Sequence, residues 1–392
     1  MRPARTIRGR CAIVSVALLV MAGCAQAESV RTRTVATGLQ YPWSVAFLPG
    51  GRFLVTERPG RLRVVAPDGR LSPPVAGLPE IAAGGQGGLL DVILDGDFAR
   101  NRRLYFCFTE PAPAGNGTAL ARATLSADET RLEDVEVIFS QRPKVAGSSH
   151  FGCRIVESRA PGANGRPDGR LFLTLGERFS RREDAQRLDN HLGKIVRINK
   201  DGSVPADNPF AGKAGAATEI WSSGHRNVQG ATLAPDGTLW THEHGPQGGD
   251  EINLPRPGAN YGWPVITYGE EYGGGKIGEG LTRKAGMEQP LHYWVPSIAP
   301  SGMAFLGSDR YDRAGRTWRG NLFVGSLKFR YLARIELSEP FGGRMGGSVV
   351  RESRLLTGLG ERIRDVRQGP DGLLYVLTDS PDGKLICLLP ED

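Results

Sequence analysis

The stretch Thr241 to Asn253 reads THEHGPQGGDEIN and sets two histidines beside two carboxylates. His242 and His244 are alternate residues, which share a face if the segment is a strand, and such a pair can chelate zinc. Zinc takes three or four ligands in a fitting geometry, and no third is spaced obviously nearby. The residues that follow offer other chemistry. Gly245 and Pro246 can present successive carbonyls, and Asp250, Glu251 and Asn253 add oxygens. Oxygen-rich, glycine-rich turns suit calcium. The plain alternative is a polar loop joining two strands.

Elsewhere, His150 sits among small residues in Gly147-Ser148-Ser149-His150-Phe151-Gly152. An imidazole there is reachable, and its near-neutral pKa makes it the default general base. The plain alternative is a local hydrogen-bonding role. Arg226, Lys328, Arg362 and Arg364 are far apart in the chain. Converging, they would hold an anion with several carboxylates or phosphates, since arginine offers a bidentate fork and lysine a point charge.

What converges depends on the elements. A small and apolar run, a turn and a second apolar or aromatic run recur six times. The first runs are Ser44–Leu48, Leu89–Leu94, Gly152–Val156, Gln229–Leu233, Ser301–Phe305 and Arg364–Val366. The second runs are Phe53–Thr56, Leu104–Phe108, Leu171–Thr174, Leu239–Thr241, Asn321–Val324 and Leu373–Leu377. Pro-Asp-Gly joins several pairs, and Asp-Gly tolerates the positive φ of a tight turn. Each interval holds about four short strands. The repeat predicts an all-β, six-bladed β-propeller of four-stranded antiparallel blades. The turn at Pro381-Asp382-Gly383 is expected to help close the ring.

In a hairpin, the start of the first strand and the end of the second lie together. Residues just before one or just after the other therefore collect on one face of the disc. Gln86, His150, Glu177-Arg178, His225-Arg226-Asn227, His242 to Gly245, Lys328, Arg362 and Arg364 fall at such places. Several blades thus send polar groups to one basic cleft.

Taken in order, many segments carry a family resemblance. They include "YPWSVAFLPGGRFLVTERPGRLRVV", "GGQGGLLDV", "SSHFGCRI", "DNHLGKIVRIN", "GHRNVQG", "HEHGPQGGDEINLPRPGANYGWP", "WVPSIAPSGMAF", "GNLFVGSLK" and "ERIRDVRQGPDGLLYVLTD". The chain resembles the glucose/sorbosone dehydrogenase family of soluble quinoproteins, above all its aldose sugar dehydrogenase branch, from Thr37 to Leu389. The resemblance implies a six-bladed propeller holding pyrroloquinoline quinone (PQQ) and calcium. It implies that Gln86, Arg226, Asn227, Tyr272, Lys328, Arg362 and Arg364 contact PQQ, and that His150 is the catalytic base. Gly245 and Pro246 would lend main-chain oxygens to the calcium beside PQQ. Glu251 and the Tyr261 carbonyl would serve a second, structural calcium.

The implied reaction removes the anomeric hydroxyl proton of an aldose at His150 and passes the C1 hydride to PQQ. Calcium and Arg226 would stabilise the charge that develops. The product is a lactone, and an unidentified acceptor takes the electrons. The chain departs from its relatives in having Glu177 after Gly176, where aspartate is frequent. Cys153 stands where a smaller residue is common, and the turn Arg159 to Arg170 looks lengthened. A calcium-dependent propeller hydrolase, such as a lactonase, is the rival enzyme, but it needs carboxylates and amides at the axis. A propeller binding module without chemistry does not need His150 and the four basic residues.

The first 27 residues read as a secretory signal: four arginines, an apolar run from Cys11 to Met21, and Ala25-Gln26-Ala27 for cleavage. Met21-Ala22-Gly23-Cys24 offers an alternative lipobox, with Cys24 carrying a lipid anchor. The expected location is periplasmic. The mature chain is a single propeller domain over residues 28–392, with no transmembrane segment. The formal charge of +7 falls to +3 without the leader's four arginines, a small, dispersed excess that does not indicate nucleic acid. Cys107, Cys153 and Cys387 then remain. One bridge and one odd thiol are available, and spacing does not choose the pair.

Overall fold

The Asp-Gly turns work by a shared local chemistry. In Pro235-Asp236-Gly237, Gly237 takes φ +83° and the Asp236 carboxylate accepts the Thr238 N–H at 2.9 Å. In Pro370-Asp371-Gly372, Gly372 takes φ +80° and Asp371 accepts the Leu373 N–H at 3.1 Å. Each carboxylate caps its own turn while glycine supplies the left-handed step. These turns set the register of the hairpins they join.

The computed structural model describes residues 30–159, 168–338 and 347–391. Its strands form six antiparallel sheets. Their inner strands are Pro42–Leu48, Leu89–Leu94, Ile155–Glu157, Val228–Leu233, Pro300–Phe305 and Ile363–Gln368, numbered here as blades 1 to 6. The six repeated hairpins are the two inner strands of each blade, as the repeat predicts. Five blades have four regular strands. Blade 1 has three, and residues 71–75 serve as a broken fourth: Ser72 and Val75 N–H donate to Val64 and Leu62 at 2.8 Å. Pro73 and Pro74, between them, have no N–H to continue the ladder. The strand Arg31–Leu39 closes the ring by pairing with Gly383–Leu389 in blade 6. Asp382 helps, accepting the Gly38 N–H at 3.0 Å.

The apolar core lies between neighbouring blades. Leu54, Leu62 and Val64 of blade 1 pack on Val92, Leu104 and Phe106 of blade 2. Trp240 and Ile252 of blade 4 pack on Phe305 and Leu322 of blade 5. The inner strands meet at the axis through charges instead. Arg154 lies 3.3 Å from Asp91 and 3.0 Å from Asp365, and Arg367 lies 2.8 Å and 3.0 Å from the same two carboxylates. This paired cluster from blades 2, 3 and 6 ties the ring together. Removing one partner would strand a buried charge, at a cost of about 3–5 kcal/mol.

Cys107 and Cys153 form a disulfide between blades 2 and 3, and Cys387 is free and buried. Among the described residues no helix is long and apolar enough to cross a membrane. The expected signal peptide, Cys24 and most of the turn Arg159 to Arg170 (residues 160–167) lie outside the described residues.

Candidate active site

Residues flanking the inner hairpins do meet on one face. Gln86, Asn227, Arg362 and Arg364 line one cavity, together with Trp43, Arg58, Gly152 and His244. His150 immediately precedes Phe151 and Gly152, which line the cavity, and its N–H donates to Gln86 Oε1 at 2.8 Å. Arg226 lines an adjoining compartment with Gly245, Glu251 and Tyr261. Lys328 is exposed on the rim, its Nζ 5.2 Å from the Phe329 ring. Tyr272 is 61 % exposed, and its hydroxyl lies 3.3 Å from Arg226 Nη2.

The His150 wall is tightly built. His150 is only 4 % exposed and its Nδ1 lies 3.1 Å from Glu177 Oε1. A carboxylate at Nδ1 favours the proton there and leaves Nε2 as the basic nitrogen. Burial pushes the imidazole below its ordinary pKa, and Glu177 only partly opposes this. His150 itself takes φ +54°. Gly176 passes so close that a Cβ there would lie 2.2 Å from the His150 carbonyl. Buried Arg178 donates to the carbonyls of Gly147 at 2.8 Å and Ser149 at 3.0 Å, clamping the same loop. Asn227 Oδ1 accepts the Gly152 N–H at 3.1 Å.

The opposite wall is cationic. Arg362 and Arg364 each place a nitrogen 3.1 Å from Asp379, and Arg58 lies 3.8 Å from it. Burial works to raise the Asp379 carboxyl, but Arg364, Arg58 and Arg362 outweigh it and hold it below the usual range. Three guanidinium groups share one carboxylate, and the Nε of Arg364 is buried without a hydrogen-bond partner. Trp43 forms the floor, with Arg154 4.2 Å and Arg364 5.9 Å from its ring.

In the THEHGPQGGDEIN segment, His242 is fully buried and burial pushes it down to about 3. His244 Nε2 lies 2.6 Å from the Pro300 carbonyl, so that nitrogen is engaged. Asp250 organises the loop by accepting N–H groups from Gly245, Ile298 and Ala299 at 2.8, 2.7 and 3.0 Å. Arg226 Nη1 donates to the carbonyls of Gly245 at 2.8 Å and His244 at 3.1 Å. Pro246 is buried beside them. Asn253 Nδ2 bridges Glu243 and Glu251, 3.2 Å from each. Burial and the neighbouring Glu243 push Glu251 up to about 8. Among the described residues no three His, Cys, Asp or Glu side chains gather as a metal cluster.

Three site residues escaped the sequence reading. Trp43 precedes the repeated run Ser44–Leu48, though it lies within the strand Pro42–Leu48, Arg58 follows the first hairpin and Asp379 follows the sixth. The rule that found Gln86 and Arg226 finds all three when applied to every repeat. Asp91 and Asp365, the carboxylates at the axis, are spent on arginines. That removes the free acidic set a propeller hydrolase needs.

The glucose/sorbosone dehydrogenase family matches residues 39–387. Aldose sugar dehydrogenase YliI of Escherichia coli (strain K12) is 42 % identical over 384 residues, 97 % of this chain and 98 % of that protein. A crystal structure of a glucose dehydrogenase is 47 % identical and superposes with a TM-score of 0.84, covering 92 % of this chain and 100 % of the other. The PQQ-bound aldose sugar dehydrogenase of Streptomyces coelicolor is 28 % identical, with a TM-score of 0.71 over 92 % of this chain and 98 % of that one. With its propeller, its buried histidine and its arginine wall in place, the chain belongs to the glucose/sorbosone dehydrogenase family of oxidoreductases.

Proposed function

We propose that the protein oxidises the C1 hydroxyl of an aldose to the lactone, with PQQ as bound hydride acceptor and calcium beside it. One observation carries this reading: a buried imidazole paired with Glu177 sits on the loop whose Phe151 and Gly152 line a cavity, and that cavity's other wall holds surplus guanidinium charge. The arginine wall suits a planar polycarboxylate. Three guanidiniums with one carboxylate leave two positive charges uncompensated, and Arg364 Nε lacks a partner. Arg362, Arg364, Gln86 and Asn227 would hold PQQ in the cavity, with Arg226, Tyr272 and Lys328 reaching it from the rim. When bound, PQQ supplies the quinone carbon that takes the sugar's hydride, which no side chain can do.

The protein's part is proton handling and charge. His150 Nε2 takes the C1 hydroxyl proton, and Glu177 stabilises the imidazolium through Nδ1. Arg226 brings a fixed positive charge toward the same reaction. Calcium would use the Gly245 and Pro246 carbonyls. Gly245 already accepts from Arg226, but a carbonyl has two lone pairs and can serve both. A second calcium would relieve the buried Glu243–Glu251 contact, using Glu251 and the Tyr261 carbonyl. The substrate is a small sugar, and the electrons go on to an acceptor still to be identified. We place the mature chain in the periplasm after loss of residues 1–27, with a lipid on Cys24 as the alternative.

The test is reconstitution of purified apoprotein with PQQ and calcium, followed by aldoses and an artificial electron acceptor. Dye reduction that needs PQQ, calcium and sugar is the expected result. No reduction with any aldose would overturn the proposal.

A further inference from the structure

The loop that carries His150 joins the outer strand of blade 2, Leu132–Ser140, to the inner strand of blade 3, Ile155–Glu157. Its backbone is unusual. His150, Gly152 and Cys153 take φ of +54°, +65° and +78°, so two residues with a Cβ occupy the left-handed region within four positions. Such backbone persists only where the surroundings over-determine it. Hydrogen bonds supply part of that. Thr118 Oγ1 donates to the Phe151 carbonyl at 2.6 Å, and the Cys153 N–H donates to Thr174 at 2.7 Å. The remaining tie is covalent. Cys153 is bonded to Cys107 in the second strand of blade 2, and both are fully buried.

We infer that the Cys107–Cys153 bond is a positioning device for His150, resting on the proposal that His150 is the base. The bond holds Cys153 in a conformation that a residue with a Cβ otherwise leaves. Released, position 153 relaxes to negative φ and turns the peptide that joins it to Gly152. The rotation is passed to His150, three residues upstream, and draws its Nδ1 away from Glu177. Arg362 and Arg364 on blade 6 lie outside this lever, whereas Gln86 and Asn227 accept N–H groups of the loop itself. Neither cysteine is a catalytic residue on this account.

Two paired substitutions test the idea. C107A/C153A removes the bond and leaves a Cβ at φ +78°, whereas C107A/C153G removes the bond and the strain together. Left-handed backbone disfavours a non-glycine residue about tenfold, so glycine should rescue. In the PQQ-loaded enzyme, C107A/C153A should lose about tenfold in kcat at saturating PQQ, with dye KM unchanged and PQQ affinity falling less than kcat, since only Gln86 and Asn227 of its binding groups touch the loop. C107A/C153G should regain most of that loss. Hydrogen exchange of residues 147–154 should follow the same order, faster in the alanine pair and slower in the glycine pair. Wild-type kcat in C107A/C153A, or a glycine pair no better than the alanine pair, overturns the inference. If the wild-type enzyme oxidises no aldose, the proposed function fails, while the exchange measurement still decides whether the bond holds this loop.

Discussion

The two walls of the cleft are built by different means. On blade 3, His150 is held by its own backbone: Gln86 takes its N–H, Arg178 clamps the preceding carbonyls, and Gly176 leaves no spare room. On blade 6, Arg362 and Arg364 are held through their side chains, by one shared carboxylate. The first wall fixes a single nitrogen, as proton transfer requires. The second keeps charge in excess and can regroup around an anion, because Arg362 is still 44 % exposed. A propeller thus separates geometric from electrostatic duty by blade.

The largest break in that comparison is at His150. H150A should lower kcat by about 10²–10⁴, the usual contribution of a general base, and leave PQQ affinity within about threefold. Fluorescence titration of the cofactor beside steady-state turnover separates the two. If PQQ affinity falls with kcat, the walls do not divide their duties as described.

R364A is the matching break on blade 6. It removes a buried guanidinium whose Nε has no internal partner. Charge-assisted hydrogen bonds are worth about 1.5–3 kcal/mol, so the PQQ dissociation constant should rise about 10- to 100-fold. Turnover at saturating PQQ should fall much less. A kcat loss as large as that of H150A would show that the arginine wall acts in chemistry as well as in binding.

This division was only partly legible in the sequence. The repeat of apolar run, turn and apolar run located all six inner hairpins, since strand alternation and Asp-Gly turns are local signals. Placement of Gln86, His150 and Asn227 followed from position relative to those hairpins. Asp379 fits the same positional rule, but an acid after a strand looks like any solvated turn until its three arginine neighbours give it a partner. The contact of Glu177 with His150 spans 27 residues, and the Cys107–Cys153 pairing spans 46. Both are through-space facts without a spacing rule. The extra methylene of Glu177, a departure in sequence, proves compatible with the imidazole contact at 3.1 Å.

E177Q sharpens the blade 3 side with a smaller effect. Burial already holds His150 below its ordinary pKa of 6.5, so its neutral, basic form persists through neutral pH. Activity should fall only as pH drops through that depressed value, giving an acid limb below 6.5. Glu177 raises the His150 pKa, so glutamine should move the limb to still lower pH. It should also cut kcat about tenfold, because a neutral amide stabilises imidazolium less well than a carboxylate does. A limb that moves upward in E177Q would mean that Glu177 is not the group facing the imidazole.

The smallest effect belongs to Lys328, which sits on the rim rather than in either wall. Its ammonium is exposed and its nearest ring, Phe329, is 5.2 Å away. Exposed ion pairs are worth about 0–1 kcal/mol and weaken as salt screens them. K328A should therefore raise the PQQ dissociation constant no more than about fivefold at low salt, and less at 0.5 M sodium chloride. R364A, whose charge is buried, should keep its larger defect at both salt concentrations. Equal salt sensitivity in the two variants would place Arg364 in solvent with Lys328, and the contrast between wall and rim would fail.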